Sequence, residues 1–444
     1  MKIGIDAIAF DVSKIHLPIK TLAEARHIEA DKLEKGLGLK KMTLPDAHQD
    51  TVVFGANALT RLIKDNAIDL SQVCRIYIGT ESGLDNSKPV GSYITGLIEQ
   101  KFGENTLGHC DTVDFTFACI GAVDAMQNCI DFIRLNPNKK AIVVATDIAK
   151  YDLGSTGEYT QGAGAVALLL SQNPRIISFD TNWATSHKSV FDFFKPYRTI
   201  SKFMITGNDD NYPWFGNLEG EIEIHKDQPV FDGQYSNECY IDRTNEAYAA
   251  FKKVSADKIP LDNWFNIIMH LPYAFQGRRM LAGLYAKEFG IEASDAAAVK
   301  EIAKSEGYKK FVSDKLAPAE SASSLIGNLY TGSIFMGFLS AICEYSDNNI
   351  EIAGQKFGFL AYGSGSKSKV FEGTIESEWK TALSPVDLFG TLAKSHAISF
   401  EEYEGLHTKM KHNSVLEPKN EWVLDRIEHE KPNLEGARYY QWID

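Results

Sequence analysis

Short runs of β-branched and aromatic residues alternate with amphipathic stretches from one end of this chain to the other. That alternation limits the fold more than any other feature. Strands separated by helices build a largely parallel or mixed sheet, so the sequence predicts an α/β protein. The expected strands are KIGIDAIAF near the start and residues 75–80, 112–118, 141–147 and 164–170, with helices over 52–64, 91–101 and 120–135. The last helix is stopped by Asn136-Pro137. The style repeats further on: a strand over 266–272, a helix entered at Tyr330-Thr331 and a strand over 358–366.

Each half carries a strand, a glycine-rich turn and another apolar run, as TQGAGAVALLL and FLAYGSGSKSKVF. A break near residue 173 divides 1–173 from 174–400. Residues 199–229, rich in Gly, Asn, Asp and aromatics, read as a long loop or small insertion. The charged segment 401–444 reads as a surface-packed extension, because Tyr439, Tyr440 and Trp442 need a surface to cover.

A chain of 444 residues with 44% hydrophobic content has ample material for a core. Its net charge of −13 opposes general nucleic-acid binding, which needs a basic face. The longest uninterrupted apolar run, Ala165 to Leu170, falls far short of the roughly 20 residues that cross a bilayer, so no membrane role is expected. Asp6 interrupts the apolar start, which argues against an export signal. The six cysteines show no paired spacing, which favours reduced thiols in the cytoplasm.

Cys119 stands where an alternating run (Val113, Phe115, Phe117) gives way to small, helix-forming residues. A free cysteine is most often simply buried. At a strand-to-helix junction, however, the helix dipole lowers a thiol pKa, and Ala118, Gly121 and Ala122 let a substrate come close. Cys129, inside the helix, lacks these features and reads as core.

Glu81 follows an apolar strand, where open α/β sheets place ligands, although a solvated loop glutamate is the commoner case. His270 ends the run NIIMH and could be a satisfied core histidine. Its neighbour Pro272 and the basic pair Arg278-Arg279 raise the alternative of a substrate tunnel with a phosphate-binding mouth. Asn328 reads as a helix cap or as an amide donor to a carbonyl. The turns QGAGA and YGSGS fit neither a P-loop nor a dinucleotide fingerprint. Asp209-Asp210 and the EIEIH run (221–225) are better explained as a polar loop and an exposed edge strand than as metal ligands.

Taken in order, Glu81, Cys119, GEYTQGAGAVAL, MHLPY with His270, GNLYTGS with Asn328 and AYGSGS resemble the 3-hydroxy-3-methylglutaryl-CoA synthase family. The similarity takes in residues 143–158, 191–196 and 231–240 and spans most of 1–400. It implies a thiolase fold: two topologically similar halves, a five-layered α-β-α-β-α core and a homodimer. It also implies condensation of acetyl-CoA with acetoacetyl-CoA to 3-hydroxy-3-methylglutaryl-CoA, as in the mevalonate route to isoprenoids.

On that resemblance Cys119 carries the acetyl group, Glu81 removes a methyl proton, His270 polarises the acceptor ketone, and Asn328 holds the acetoacetyl group. Thr160, Ser236 and Arg279 become substrate or CoA contacts, and Tyr151 lines the acyl pocket. Pro272, Tyr362 and Ser364 join the binding set, and Arg278 with Arg279 suits the CoA phosphates. No metal or cofactor is called for, the CoA thioesters being substrates.

Four positions depart from the family pattern. Phe117 stands where Glu or Asn is usual, Ile120 where an aromatic is, Phe275 where a lysine is, and Lys195 where an arginine is. Three competing readings share these residues. One is a β-branching synthase acting on an acyl-carrier-protein-bound ketide, and another a ketoacyl-ACP synthase III-like enzyme, which needs no carboxylate base. The third is a non-catalytic acyl-CoA-binding scaffold.

Overall fold

The computed structural model describes residues 1–207 and 219–444. Ten strands form one mixed sheet: β1 (Ile3–Val12), β2 (Val73–Gly79), β3 (Asp111–Phe115), β4 (Lys140–Ala149), β5 (Gly162–Gln172), β6 (Ile177–Phe179), β7 (Ala184–His187), β8 (Asn266–Met269), β9 (Lys356–Gly363) and β10 (Lys367–Ile375). Their order is β8-β9-β10-β6-β1-β5-β4-β2-β3, with β7 beside β10. The pairs β2–β3, β2–β4 and β8–β9 are parallel. Strands β1 to β5 thus lie on one side of a seam and β6 to β10 on the other; at the seam Gly4 pairs with Ser178 and Ile5 with Ile177.

Eight helices cover the sheet: α1 (Thr51–Asp65), α2 (Val90–Phe102), α3 (Gly121–Leu135), α4 (Gly233–Val254), α5 (Gln276–Glu288), α6 (Glu306–Lys315), α7 (Ala317–Ile326) and α8 (Ser333–Asp347). Successive residues of a strand face opposite ways, and the burial follows that rule. Ile3, Ile5, Ile8, Phe10 and Val12 of β1 face a central core, with Val166, Leu168 and Leu170 of β5 and Phe357 and Phe359 of β9. Helices α3, α7 and α8 fill that core through Met126, Ile130, Ala322, Phe335 and Phe338.

The opposite face of the first half-sheet, including Ala7, Ala9, Ile76, Ile78 and Val144, packs against α1 and α2. The opposite face of the second, including Ile267, Met269 and Leu360, packs against α4, α5 and α6. Helix, sheet, helix, sheet, helix: this is the five-layered thiolase fold.

The strands Arg198–Ser201 and Glu221–Ile224 pair antiparallel, the first beginning one residue ahead of the 199–229 segment. Asp209 and Asp210 lie outside the described residues. After residue 400 the chain forms a helix, Phe400–His407, and a hairpin of β11 (Glu421–Ile427) and β12 (Arg438–Ile443). The hairpin is fastened to α1: the Trp422 amide donates to Asn57 Oδ1 at 2.8 Å, and Tyr440 donates to Asp50 Oδ2 at 2.8 Å. No helix of the described residues is long and apolar enough to cross a membrane.

Candidate active site

Cys119 lies between the end of β3 and the start of α3, and two close backbone approaches put it there. Glycine at the end of β2 lets that strand press on α3; a Cβ on Gly79 would sit 2.3 Å from the Ala122 Cβ. At the end of β9, a Cβ on Gly363 would sit 2.6 Å from the Phe117 carbonyl oxygen. Ala118, immediately before the thiol, has φ +39°, a strained conformation for a residue with a side chain.

The Cys119 thiol donates to Glu81 Oε1 at 3.0 Å. Glu81 follows β2, and its own backbone is braced by Asp147 at the end of β4. One Asp147 oxygen accepts from the Glu81 amide at 2.9 Å, the Thr80 hydroxyl at 3.1 Å and the Ser82 hydroxyl at 2.8 Å. The other accepts from the Thr331 amide at 3.0 Å. Asp147 therefore ties the Glu81 turn to the entry of α8.

Burial pushes the Glu81 carboxyl up to about 7, with Lys195 pulling it down and Asp147 raising it further. The Cys119 thiol is pushed up as well, first by burial and then by the charge of Glu81. This corrects the expectation of a lowered thiol pKa. The helix dipole is outweighed by desolvation and by a carboxylate in hydrogen-bond contact. The pair therefore rests as a neutral thiol bonded to a carboxyl poised near neutrality.

Tyr151, Tyr330, Phe193 and Phe231 pack around Cys119 and keep its surroundings apolar. They wall a cavity of about 280 Å³ onto which Cys119, Tyr151, Thr160, Ser236, His270, Pro272, Arg279, Asn328, Tyr362 and Ser364 all open. Glu81 is not among the lining residues and meets the site through its contact with the Cys119 thiol. Arg278 does not open onto it: its guanidinium forms a bidentate pair with Glu320 and lies 3.7 Å over the Phe275 ring.

His270 is buried, and desolvation pushes its imidazole down to about 3, so the ring is neutral at physiological pH. Its Nδ1 has no hydrogen-bond partner among the described residues. Asn328 follows α7; its amide donates to the Thr160 carbonyl at 2.9 Å and its Oδ1 accepts from the Tyr330 amide at 2.8 Å. The Nδ2 group is what Asn328 offers a ligand.

Two further groups shape the site: Asp192, buried and without a signal in the sequence, and Lys195, half-buried and marked there only as a departure from the family pattern. Asp192 accepts from the Tyr362 hydroxyl at 2.7 Å, the Gly365 amide at 2.7 Å and the Ser236 hydroxyl at 3.4 Å. It thereby ties together the cavity walls on α4 and β9. Lys195 donates to the Glu81 carbonyl at 2.9 Å and lies 4.8 Å over the Tyr330 ring. Of the other departures, Phe117 takes Lys367 over its face at 3.9 Å, and Ile120 is fully buried in the central core. Among the described residues no cluster of His, Cys, Asp or Glu is placed to hold a metal ion.

A five-layered core with a thiol at the inner end of a central helix and a carboxylate bonded to it defines an acyltransferase of the thiolase fold. A family model described as "Hydroxymethylglutaryl-coenzyme A synthase N terminal" matches residues 1–174, and its C-terminal counterpart matches residues 295–423. The chain belongs to the hydroxymethylglutaryl-CoA synthase family.

The hydroxymethylglutaryl-CoA synthase of Haloferax volcanii is 28% identical over 94% of this chain and 93% of its own. That of Enterococcus faecalis is 29% identical over 91% of each chain. A solved structure of MvaS in complex with 3-hydroxy-3-methylglutaryl coenzyme A superposes with a TM-score of 0.82 at 27% identity, covering 100% of this chain and 99% of that one.

Proposed function

We propose that the chain condenses acetyl-CoA with acetoacetyl-CoA to give 3-hydroxy-3-methylglutaryl-CoA and free CoA, through an acetyl group carried on Cys119. The observation that carries this reading is the 3.0 Å contact between the Cys119 thiol and Glu81, with His270 and Asn328 opening onto the same cavity.

In the first step the Cys119 sulfur attacks the acetyl-CoA carbonyl. Its proton leaves toward Glu81, and CoA departs as the thiol after taking up a proton. Glu81, as carboxylate, then removes a proton from the methyl of acetyl-Cys119. The resulting carbanion attacks the ketone carbon of acetoacetyl-CoA. His270, neutral, polarises that ketone as an N–H donor and assists protonation of the new alkoxide, and Asn328 Nδ2 holds the acetoacetyl group. Water then cleaves the Cys119 thioester, which releases the product and restores the thiol. The aromatic wall around Cys119 keeps the carboxylate dry enough to act as a base.

Tyr151 lines the acyl end of the cavity. Thr160, Ser236, Pro272, Tyr362 and Ser364 line its sides, and Arg279 serves the CoA phosphates at its mouth. Arg278, its charge matched by Glu320, is left out of that contact set. The CoA thioesters are substrates, and the reaction calls for no cofactor. Its product is the precursor of mevalonate.

We also read the chain as two halves, 1–173 and 174–400, with an extension over 401–444; the seam between β1 and β6 supports that division. A homodimer is supported by β3, which ends the sheet and leaves Val113 42% exposed on an edge open to a symmetry-related copy. A cytoplasmic location is supported by the six cysteines, all free thiols.

Intact-protein mass spectrometry after acetyl-CoA, followed by acetoacetyl-CoA and product analysis, tests the reading. An adduct on Cys119 that turns over to 3-hydroxy-3-methylglutaryl-CoA is expected. Absence of any adduct would remove Cys119 from the chemistry.

A further inference from the structure

Behind the wall that carries Ser82 and Tyr151 lies a second cavity of about 390 Å³, larger than the first at about 280 Å³. One side is the loop from Thr43 to Thr51 and the other is the tail segment from Leu406 to His412. Lys150, Lys409 and Lys411 all line it. None of the three makes an ion pair among the described residues, and Lys150 and Lys409 repel each other.

The acids on the same wall are already engaged. Asp50 caps α1 through the Val53 amide at 3.0 Å and also accepts from Arg438 at 3.1 Å and Tyr440 at 2.8 Å. Asp46 accepts from the amides of Ala47 at 2.8 Å, Val415 at 2.8 Å and Leu416 at 3.0 Å. Asp227 lies 3.9 Å from His225 and, like Asp152, attracts Lys150 without an ion-pair contact.

Three lysines without an ion-pair partner around one cavity, its acids held mostly by other groups, are stabilised by an anion placed between them. Lysine ammonium groups act as mobile point charges, which suits a compact oxyanion carrying several charges more than a single planar carboxylate. We propose that this cavity binds a small multivalent oxyanion, a phosphorylated or polycarboxylate metabolite, held by Lys150, Lys409 and Lys411.

The site shares two struts with the reaction cavity. Ser82, next to Glu81, donates to Asp147 at 2.8 Å. His407, two residues before Lys409, has Nε2 2.8 Å from the Tyr151 carbonyl and 3.2 Å from Gln161 Oε1. Both partners are acceptors, so Nε2 carries the hydrogen. An anion that draws Lys409 inward therefore acts on the segment that holds Tyr151.

Calorimetric titration of the full chain with inorganic pyrophosphate and, separately, with citrate tests the proposal without reference to catalysis. Ionic strength is fixed with chloride, because lysine–anion attraction is screened by salt. Saturable binding of at least one probe is expected, weakened at least tenfold in Lys409→Gln/Lys411→Gln and unchanged in Arg279→Gln. The tighter probe tells a phosphorylated from a polycarboxylate ligand. Binding lost in Arg279→Gln but retained in the double lysine variant would place the anion at the CoA mouth and overturn the proposal. Binding of neither probe would overturn it equally.

Discussion

Lys195 donates to the main-chain carbonyl of Glu81 at 2.9 Å, so a cation sits beside the residue whose carboxylate accepts from the Cys119 thiol at 3.0 Å. One side chain thus bears on both the position and the charge of the proposed base. Its effect opposes burial, which pushes the Glu81 carboxyl up to about 7.

The first consequence concerns pH. Glu81 must be ionised to remove a methyl proton, so condensation from pre-acetylated enzyme should fall as pH drops through about 7. Lys195 lowers the Glu81 pKa, and its removal raises it. In Lys195→Met the acid limb should move to higher pH, as single-turnover rates across pH 5.5–9 would read. An unmoved limb would detach Lys195 from the base.

The same carboxyl has a folded pKa above its unfolded value near 4.5. The folded state then binds its proton more tightly than the unfolded state does, so stability declines as pH rises from about 4.5 to about 7. Glu81→Gln removes that loss and should stabilise the protein at pH 8 by on the order of 2 kcal/mol relative to wild type, with little gain at pH 4.5. Urea unfolding at the two pH values measures it.

Removing the nucleophile and removing the base should fail at different steps. Cys119→Ala should abolish acetylation while the fold persists. Glu81→Ala, in which the thiol no longer feels the Glu81 charge and loses its proton to solvent, should still acetylate but form the carbon–carbon bond roughly 10²–10⁴ times more slowly. Rapid-quench analysis of the acetyl-enzyme separates the two.

His270 is held neutral by burial, at about 3. Between pH 5 and 9 no inflection in rate should come from this imidazole. His270→Ala should raise KM for acetoacetyl-CoA and slow condensation, with the acetylation burst left in place. A variant that lost the burst instead would move His270 into the first half-reaction.

Gly327 has φ +94°, and a Cβ there would lie 1.9 Å from the Gln161 carbonyl oxygen. Gly327→Ala must therefore push apart the two segments that hold Asn328 and Thr160. Loss of roughly 1–3 kcal/mol in stability is expected, with weaker acetoacetyl-CoA binding, by denaturation and by KM.

The secondary structure was largely legible in the sequence because burial obeys short periodicities. The runs 141–147 and 164–170 alternate between two cores, and they fall inside the strands Lys140–Ala149 and Gly162–Gln172. The expected helix over 120–135 lies at Gly121–Leu135. The order of motifs carried the family.

What the sequence hid is contact between distant segments. Asp147 reads as the last letter of an apolar strand, yet it binds Thr331, 184 residues away. A carboxylate closing a run as apolar as AIVVAT was the available signal. Lys195 was noticed only as a departure from a motif, and its contact with Glu81 spans 114 residues. The direction of the Cys119 shift escapes the sequence for the same reason: local sequence shows the helix start but neither the carboxylate in contact with the thiol nor the depth of burial.

The seam where β1 meets β6 has a mechanical consequence. Only two residue pairs, Gly4 with Ser178 and Ile5 with Ile177, join the half-sheets there, fewer than at any other junction in the sheet. A load that twists one half against the other is therefore carried chiefly by the interdigitated side chains of α3, α7 and α8. Stiffness between Cys119 on one half and His270 on the other resides in a greasy middle layer, and softening that layer would let the two reacting partners drift apart while each half kept its own shape.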